Sequence, residues 1–508
     1  MNQTSQHRPS LNRRAFLRFA AGTTAATSLT AVLAACGSDA ATIAPTAAKP
    51  AATQGPTVAP FATTAPAVAT TAPVTAGGSA APTTAGAGST GTTIAAMSTA
   101  PATTGASAYE PKNAVTIEYW QYQFDSKVDL VNKLIPEFQK QNPKITVKHV
   151  NFPYDDFRTK VAAAVQAGQG PDSLNVYYGW LPAYVQSKFL QPLPDELFSA
   201  DKVEKNFYGM VQAAKFNGQY YAAPTAVRVL ALFWNKDLLK AAGFTDAPKT
   251  WDELVKVAQA TTKRDAGGKL MQEGITWGPD GQGHAWWREC LTRQNGLLPM
   301  SEDRKKLNWT DPLGVEAFTW YTDQVTKLKV AEKGFTTDDP TAFKTGAAAL
   351  TVDGNFRIST IKKDAPNLNY GIAPLPMNKK KATFASFWCN SITRKAGDVK
   401  GDRFIAAALW NNYLASAGVQ KQWTPAVGEL PASPAVAQEF TSDPLYQGFV
   451  SQLGDAYATF YVSEADDRQA VIDATDSVIL KGASPADALK EAQAKVQTMM
   501  DKYWADQK

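Results

Sequence analysis

Cysteine is almost absent from this chain of 508 residues, which holds only Cys36, Cys290 and Cys389. That supply excludes a disulfide framework, and its spacing matches no metal motif. Histidine is equally scarce, at His7, His149 and His284, leaving little for zinc or triad chemistry. Charged residues make up 19%, a low share, because residues 37–108 carry almost none. The net charge of +5 includes no long basic run, so nucleic acid is not an expected partner. No nucleophile elbow, His-Glu-x-x-His or triad-like spacing occurs, and Gly278-Pro279-Asp280-Gly281-Gln282-Gly283 reads as a turn. The chain is therefore expected to be no enzyme and to need neither cofactor nor metal. The open alternative is a secreted polysaccharide hydrolase, whose two carboxylates across a cleft the sequence does not exclude.

What is present begins with a leader. Residues 12–18, Asn-Arg-Arg-Ala-Phe-Leu-Arg, precede a small apolar stretch from Phe19 to Ala35, the pattern of an export signal. The arginine pair resembles a twin-arginine signal, with Asn12 where Ser or Thr is usual. A permanent transmembrane helix is the competing reading, against which the stretch is short and contains Thr and Ser. It ends in Leu33-Ala34-Ala35-Cys36, which resembles the lipobox of bacterial lipoproteins; a plain cleavage site beside an incidental cysteine is the alternative. Lipidation of Cys36 would hold the exported chain on the outer face of the cell membrane. From Gly37 to about Ala108 the chain is nearly all Ala, Thr, Pro, Gly and Ser, too poor in apolar bulk for a core. It reads as a linker, or as an O-glycosylated stalk.

All 13 tryptophans lie from Trp120 onward, so the folded body starts near Asn113. Val115 to Trp120 alternates like a strand. A helix is expected from Lys127 to Gln141, a strand from Ile145 to Val150, a helix from Tyr154 to Ala167, and a strand from Ser173 to Tyr178. This alternation implies a parallel sheet with crossover helices. Ligands bind such sheets outside the carboxyl ends of the strands, which places Trp120, Tyr154 and Trp180 on one rim. Asp155-Asp156 are neighbours at a helix start and do not face one another, so they read as helix N-terminal charge. Cys290 and Cys389 read as isolated buried thiols, a disulfide between them being the weaker alternative.

The most distinctive stretch is Gly218 to Leu254, GQYYAAPTAVRVLALFWNKDLLKAAGFTDAPKTWDEL. Tyr220 to Trp234 reads as an extended crossing segment. Asn235 caps a short helix that Gly243 closes, and Thr250 with Glu253 has capping-box spacing. In this order the pieces resemble the carbohydrate-binding members of extracellular solute-binding protein family 1, the maltose-binding-protein-like receptors of ABC importers. Ala342 to Gly354 resembles that family's phenylalanine–glycine–alanine helix running into a strand and a Gly turn. Tyr370 to Pro376 resembles its return crossover, and Gly428-Glu429-Leu430-Pro431 its third. The resemblance covers about residues 113 to 505.

It implies an α/β, two-lobed periplasmic-binding-protein-like fold with an interlobe cleft and a multi-segment hinge. Residues 1–36 would be the signal and 37–112 the linker. The N-terminal lobe would be 113–226 plus 376–428, and the C-terminal lobe 227–375 plus 429–508. The implied function is a monomeric, lipid-anchored receptor that closes on a carbohydrate and delivers it to the transmembrane subunits of an ABC permease. A sensor or adhesin using the same module is the other reading. The implied ligand contacts are Trp120, Gln121, Tyr122, Tyr154, Trp180, the aromatic loop with Trp286 and Trp287, and Asn355, Phe356 and Arg357 after the Gly turn. Flat rings stack on sugar C–H faces, although each tryptophan has core packing as its alternative, the preferred reading for Trp234 and Trp251. Arg228 occupies a hinge position where relatives commonly carry an acid or a small polar residue. With Arg288 and Arg357 it would form a fork for an acidic or phosphorylated sugar; an inter-lobe ion pair is the alternative.

Overall fold

The computed structural model describes residues 109–506 apart from residue 337, so the export signal, Cys36 and most of the linker lie outside the described residues. The first body follows the expected alternation. In β1 (Val115–Tyr122) Ile117 and Tyr119 are buried while Thr116 is exposed. Helix α1 (Asp125–Gln141) buries Val128, Val131, Leu134 and Phe138, a stripe at three- and four-residue spacing. Strand β2 (Ile145–Phe152) runs parallel to β1, with Val115 opposite Ile145. Helix α2 (Tyr154–Ala167) stops at Gly168, whose φ of 61° suits a residue without Cβ. Strand β3 (Ser173–Tyr177) is fully buried and also parallel to β1. Parallel neighbours need crossovers, which α1 and α2 supply.

Strand β4 (Ala222–Asn235) is 14 residues long because it serves two bodies. Asn235 then accepts from the Asp237 and Leu238 amides, as a helix cap should. Helix α3 (Trp251–Thr261) opens with a capping box: Thr250 accepts from the Glu253 amide and Glu253 from the Lys249 amide. The second body continues through β5 (Leu270–Ile275), α4 (Gln282–Gln294), α5 (Pro312–Thr326), β6 (Ala348–Gly354) and β7 (Tyr370–Ala373). Strand β8 (Thr383–Thr393) follows, then α6 (Asp402–Leu414) and α7 (Ala417–Val427), and finally α8 (Glu464–Lys481) and α9 (Pro485–Ala505).

The strand order is β2-β1-β3-β8-β4-β6-β5. The first half of β4, Ala222 to Val229, pairs antiparallel with β8, while Leu230 to Trp234 pairs with β6. Strand β7 lies along the other edge of that second half, and Leu430–Pro431 along the other edge of the first. Helix α6 packs on β1 and β8, α7 on α1, and the last two helices on α4 and α5. A buried polar chain ties the first sheet together: Asn390 accepts from Tyr119 and Asn175 and donates to Thr225, each at 3.0 Å. Cys290 and Cys389 are free and buried.

One expectation is corrected here. Gly278–Gly283 does turn, with the Gly281 amide bonded to the Gly278 carbonyl, but α4 opens immediately afterwards. The aromatic loop expected around Trp286 and Trp287 is therefore helical. Its residues pair at helical spacing, Trp286 with Cys290 and Trp287 with Leu291, and all four are buried.

Strand β5 also carries a buried carboxyl. Glu273 accepts only the Glu332 amide, at 3.2 Å, and burial, with Asp339 and Glu332 adding, pushes it up to about 8. A carboxyl raised in this way contributes stability that is fully present below its ordinary 4.5 and lost as pH rises through about 8. The melting temperature of the native chain is expected to fall across that window relative to Glu273→Gln. Parallel melting curves for the two proteins would show that the carboxyl ionises without cost.

Candidate ligand-binding cleft

The carboxyl ends of β1 and β3 carry a continuous cluster of rings. Trp388 is its centre, 4.2 Å from Tyr122, 5.5 Å from Trp180 and 5.9 Å from Tyr177 by ring centroid. A register shift in β8 falls at Trp388–Cys389, where a bulge re-aims the side chain. Tyr154 lies at the edge of this cluster and is 41% exposed, so its ring is open to a ligand. Trp180 is half-buried, with the Arg158 guanidinium 5.7 Å from its ring centroid. Trp180, Tyr184 and Arg158 line a cleft of about 820 Å³ together with Val462, Ser463 and Glu464 at the start of α8. Burial raises the Tyr154 hydroxyl above its ordinary value, opposed by Arg158 and reinforced by Glu464 across the cleft. A flat aromatic wall facing polar groups suits a ligand with both apolar faces and hydroxyls. Among the described residues no three His, Cys, Asp or Glu side chains gather to hold a metal.

Behind this wall lies a buried ion cluster. Glu429 accepts from Arg228 Nε at 2.5 Å and pairs with Lys127 Nζ at 3.0 Å. Its second oxygen accepts from Trp423 Nε1 at 2.8 Å, and Arg228 Nη2 donates to the Tyr122 hydroxyl at 2.7 Å. Burial pushes Glu429 up, but Arg228 and Lys127 outweigh it and hold the carboxyl at about 2.

Residues 133–448 match the family of bacterial extracellular solute-binding proteins. The chain belongs to that family. It is 24% identical to the maltotriose-binding protein of Pyrococcus abyssi, over 66% of this chain and 71% of that one. It is 25% identical to the multiple sugar-binding protein of Streptococcus mutans, over 57% of this chain and 66% of that one. The fold is that of two-lobed binding proteins: MalE from Xanthomonas citri superposes with a TM-score of 0.67 at 24% identity, covering 78% of this chain and all of MalE. These relatives are binding proteins rather than enzymes.

The solute-binding fold brings only part of the expected set to the cleft. Trp180 lines it, whereas Tyr154 is exposed but is not among its lining residues. Trp120 is half-buried against Phe152 and donates to Glu118, away from the cleft wall. Gln121 is buried with both amide atoms unpartnered, and the Tyr122 hydroxyl is taken by Arg228. Trp286 stacks on Phe384 and Trp287 packs against Trp320 and Tyr321, so both are core and not ligand platforms. Asn355 is 0% exposed, accepting from the Val229 amide and donating to the Gly428 carbonyl, a pin between two crossings. Phe356 lies under Arg228, 4.8 Å away, and Arg357 pairs with Asp353.

The fork of three arginines therefore does not form; Arg228 pairs with Glu429 and Arg357 with Asp353. Sequence reasoning missed Lys127, Glu429, Trp388, Arg158 and Glu464. Of these only Glu429 carried a signal, its place in the third crossover motif. Glu429→Gln is expected to destabilise the protein by about 3–5 kcal/mol at pH 7, since it leaves two buried cations uncompensated. The native protein should lose the same contribution as pH falls from 4.5 through about 2. Denaturant unfolding of both proteins at pH 7 checks this, and equal midpoints would sink it.

Proposed function

We propose that this solute-binding protein is the receptor of an ABC importer that captures an oligosaccharide in the cleft and delivers it to a membrane permease. The observation that carries this reading is a cleft lined by the rings of Trp180 and Tyr184 together with Arg158, Ser463 and Glu464. Rings stack on the C–H faces of a sugar while the polar side takes its hydroxyls. The sugar-binding relatives support the ligand class. We assign residues 113–226 plus 376–428 to one lobe and 227–375 plus 429–508 to the other. A sugar touching both shifts the balance towards closure. Anchoring through a lipidated Cys36 belongs to the same proposal, with the linker as tether.

A neutral sugar is favoured over an acidic or phosphorylated one in the cleft itself, because Arg228 and Arg357 are already paired with Glu429 and Asp353. The test is a thermal-shift and calorimetric screen of the full chain against mono-, di- and oligosaccharides, uronates, sugar phosphates and glycerol phosphate. An oligosaccharide is expected to raise the melting temperature saturably. Trp180→Ala should weaken its binding by about 1–3 kcal/mol with little loss of stability. No rise with any carbohydrate, or unchanged affinity in the variant, would overturn the assignment.

A further inference from the structure

A chamber of about 80 Å³ lies in the second body between α4, α5, α8 and α9. Its walls are largely apolar, with the rings of Trp309, Phe318 and Tyr461 among them. Asp467, one turn into α8, also lines it. Asp467 is 7% exposed, and its Oδ1 is sealed without a hydrogen-bond partner. Oδ2 is not sealed and accepts no hydrogen bond among the described residues, so it is the oxygen that opens on the chamber. A buried carboxyl in this position is costly to ionise unless a cation answers it.

The cations around it are engaged elsewhere. Arg468, on the same helix, pairs with Glu464 at 3.7 Å, and Arg293 on α4 pairs with Glu289 at 3.7 Å. Arg288, also on α4, donates to Thr475 at 3.0 Å, lies over the Tyr321 ring of α5, and is answered by Asp280 and Asp476. Burial pushes the Tyr321 and Tyr461 hydroxyls up, so both stay neutral. Helix α9 brings Leu489 to the chamber and no charged group. The lining thus carries three carboxyls against two guanidiniums, and Asp467 is the carboxyl with no ion pair among the described residues. Burial, with Glu289, Glu464 and Asp466 adding, keeps it well above the usual carboxylate range, so it holds a proton until a cation arrives.

We propose that the chamber is a binding site for a small organic ammonium group, which gives Asp467 the cation it lacks and packs its carbon atoms against Trp309 and Phe318. Ring faces are negative and apolar at once, so such walls favour an organic cation over a hydrated metal ion. The volume suits a group of a few heavy atoms, either a free alkylamine or the amino group of an amino sugar entering from the cleft. The second source rests on the carbohydrate function proposed above. Glu464 lines both the chamber and the cleft, so the two spaces adjoin there. Binding has a proton balance: the ammonium arrives charged, the Asp467 carboxyl ionises to meet it, and one proton leaves to solvent. Affinity therefore rises with pH until Asp467 is ionised in the free protein as well.

The full chain is titrated with methylammonium, ethylammonium and glucosamine hydrochlorides against matched sodium chloride, with ethanol and glucose as uncharged counterparts. The ammonium salts are expected to raise the melting temperature saturably and the uncharged counterparts not to match them. Calorimetry in buffers of different ionisation enthalpy should show a proton released as the ammonium binds. A response to methylammonium or ethylammonium assigns the free amine; a response to glucosamine alone assigns the amino sugar. Asp467→Asn, which keeps the shape of the protonated acid, should weaken ammonium binding about tenfold or more and abolish the proton release, the loss of a charge-assisted hydrogen bond. Ala317→Leu, which fills the chamber and leaves the carboxyl in place, should weaken binding as much. No saturable response to any ammonium, an equal response to the uncharged counterparts, or unchanged affinity in Asp467→Asn would overturn the site. Neutral-oligosaccharide binding measured in parallel separates the two readings, since Trp180→Ala should abolish that response and leave the methylammonium response intact.

Discussion

One buried carboxylate, Glu429, joins three parts of the chain that sequence order keeps far apart. It answers Arg228 on the shared strand β4, Lys127 on the first helix, and Trp423 on α7. Two cations against one anion leave an excess of positive charge in a low-dielectric place, which bare Coulomb attraction does not cancel. The aromatic rings do the rest. Lys127 Nζ lies 5.0 Å from the Tyr122 ring centre and 5.7 Å from that of Trp388, while Arg228 sits 4.8 Å from Phe356. Ring faces are negative, so the cluster that builds the cleft wall also stabilises the second cation. Packing and charge are one structure here.

That unity constrains how the protein moves. Arg228 belongs to a strand both bodies share, and Glu429 to a later crossing pinned to it by Asn355. A hinge made of these segments can bend only where the ion cluster stays closed, because opening it would strand buried charge. In a two-lobed binding protein a ligand favours closure only through contacts it makes in that state.

Much of this architecture was legible beforehand, and for physical reasons. Gly168, Asn235, Thr250 and the 3.6-residue stripe of α1 report local energetics, and local energetics survive in sequence. The boundaries of α2 fall where Tyr154 and Ala167 place them. The cleft was legible in part: Trp180 follows a strand end, which topology alone sends to the rim where the cleft lies. Trp286 and Trp287 misled because glycines before them suggested a loop, whereas tertiary burial made a helix of the same residues. Trp388 could not be read at all, since a bulge inside a strand sets its direction. Nor could the pairing of Lys127 with Glu429, which no periodicity or spacing encodes.

The surroundings of Phe356 show why its ring does not reach the cleft. A Cβ on Gly354 would come within 2.2 Å of the Phe356 ring, so the ring lies back over the turn rather than out into the cleft. Both Arg228 and Arg357 approach that ring, at 4.8 and 5.6 Å. A ring held against its own backbone and approached by two guanidiniums already serves the protein's internal electrostatics. Once an arginine occupies position 228, a nearby carboxylate has to answer it, and an aromatic face helps to soften the remaining charge. Trp180 and Tyr184 are the rings that line the cleft, beside the polar start of α8.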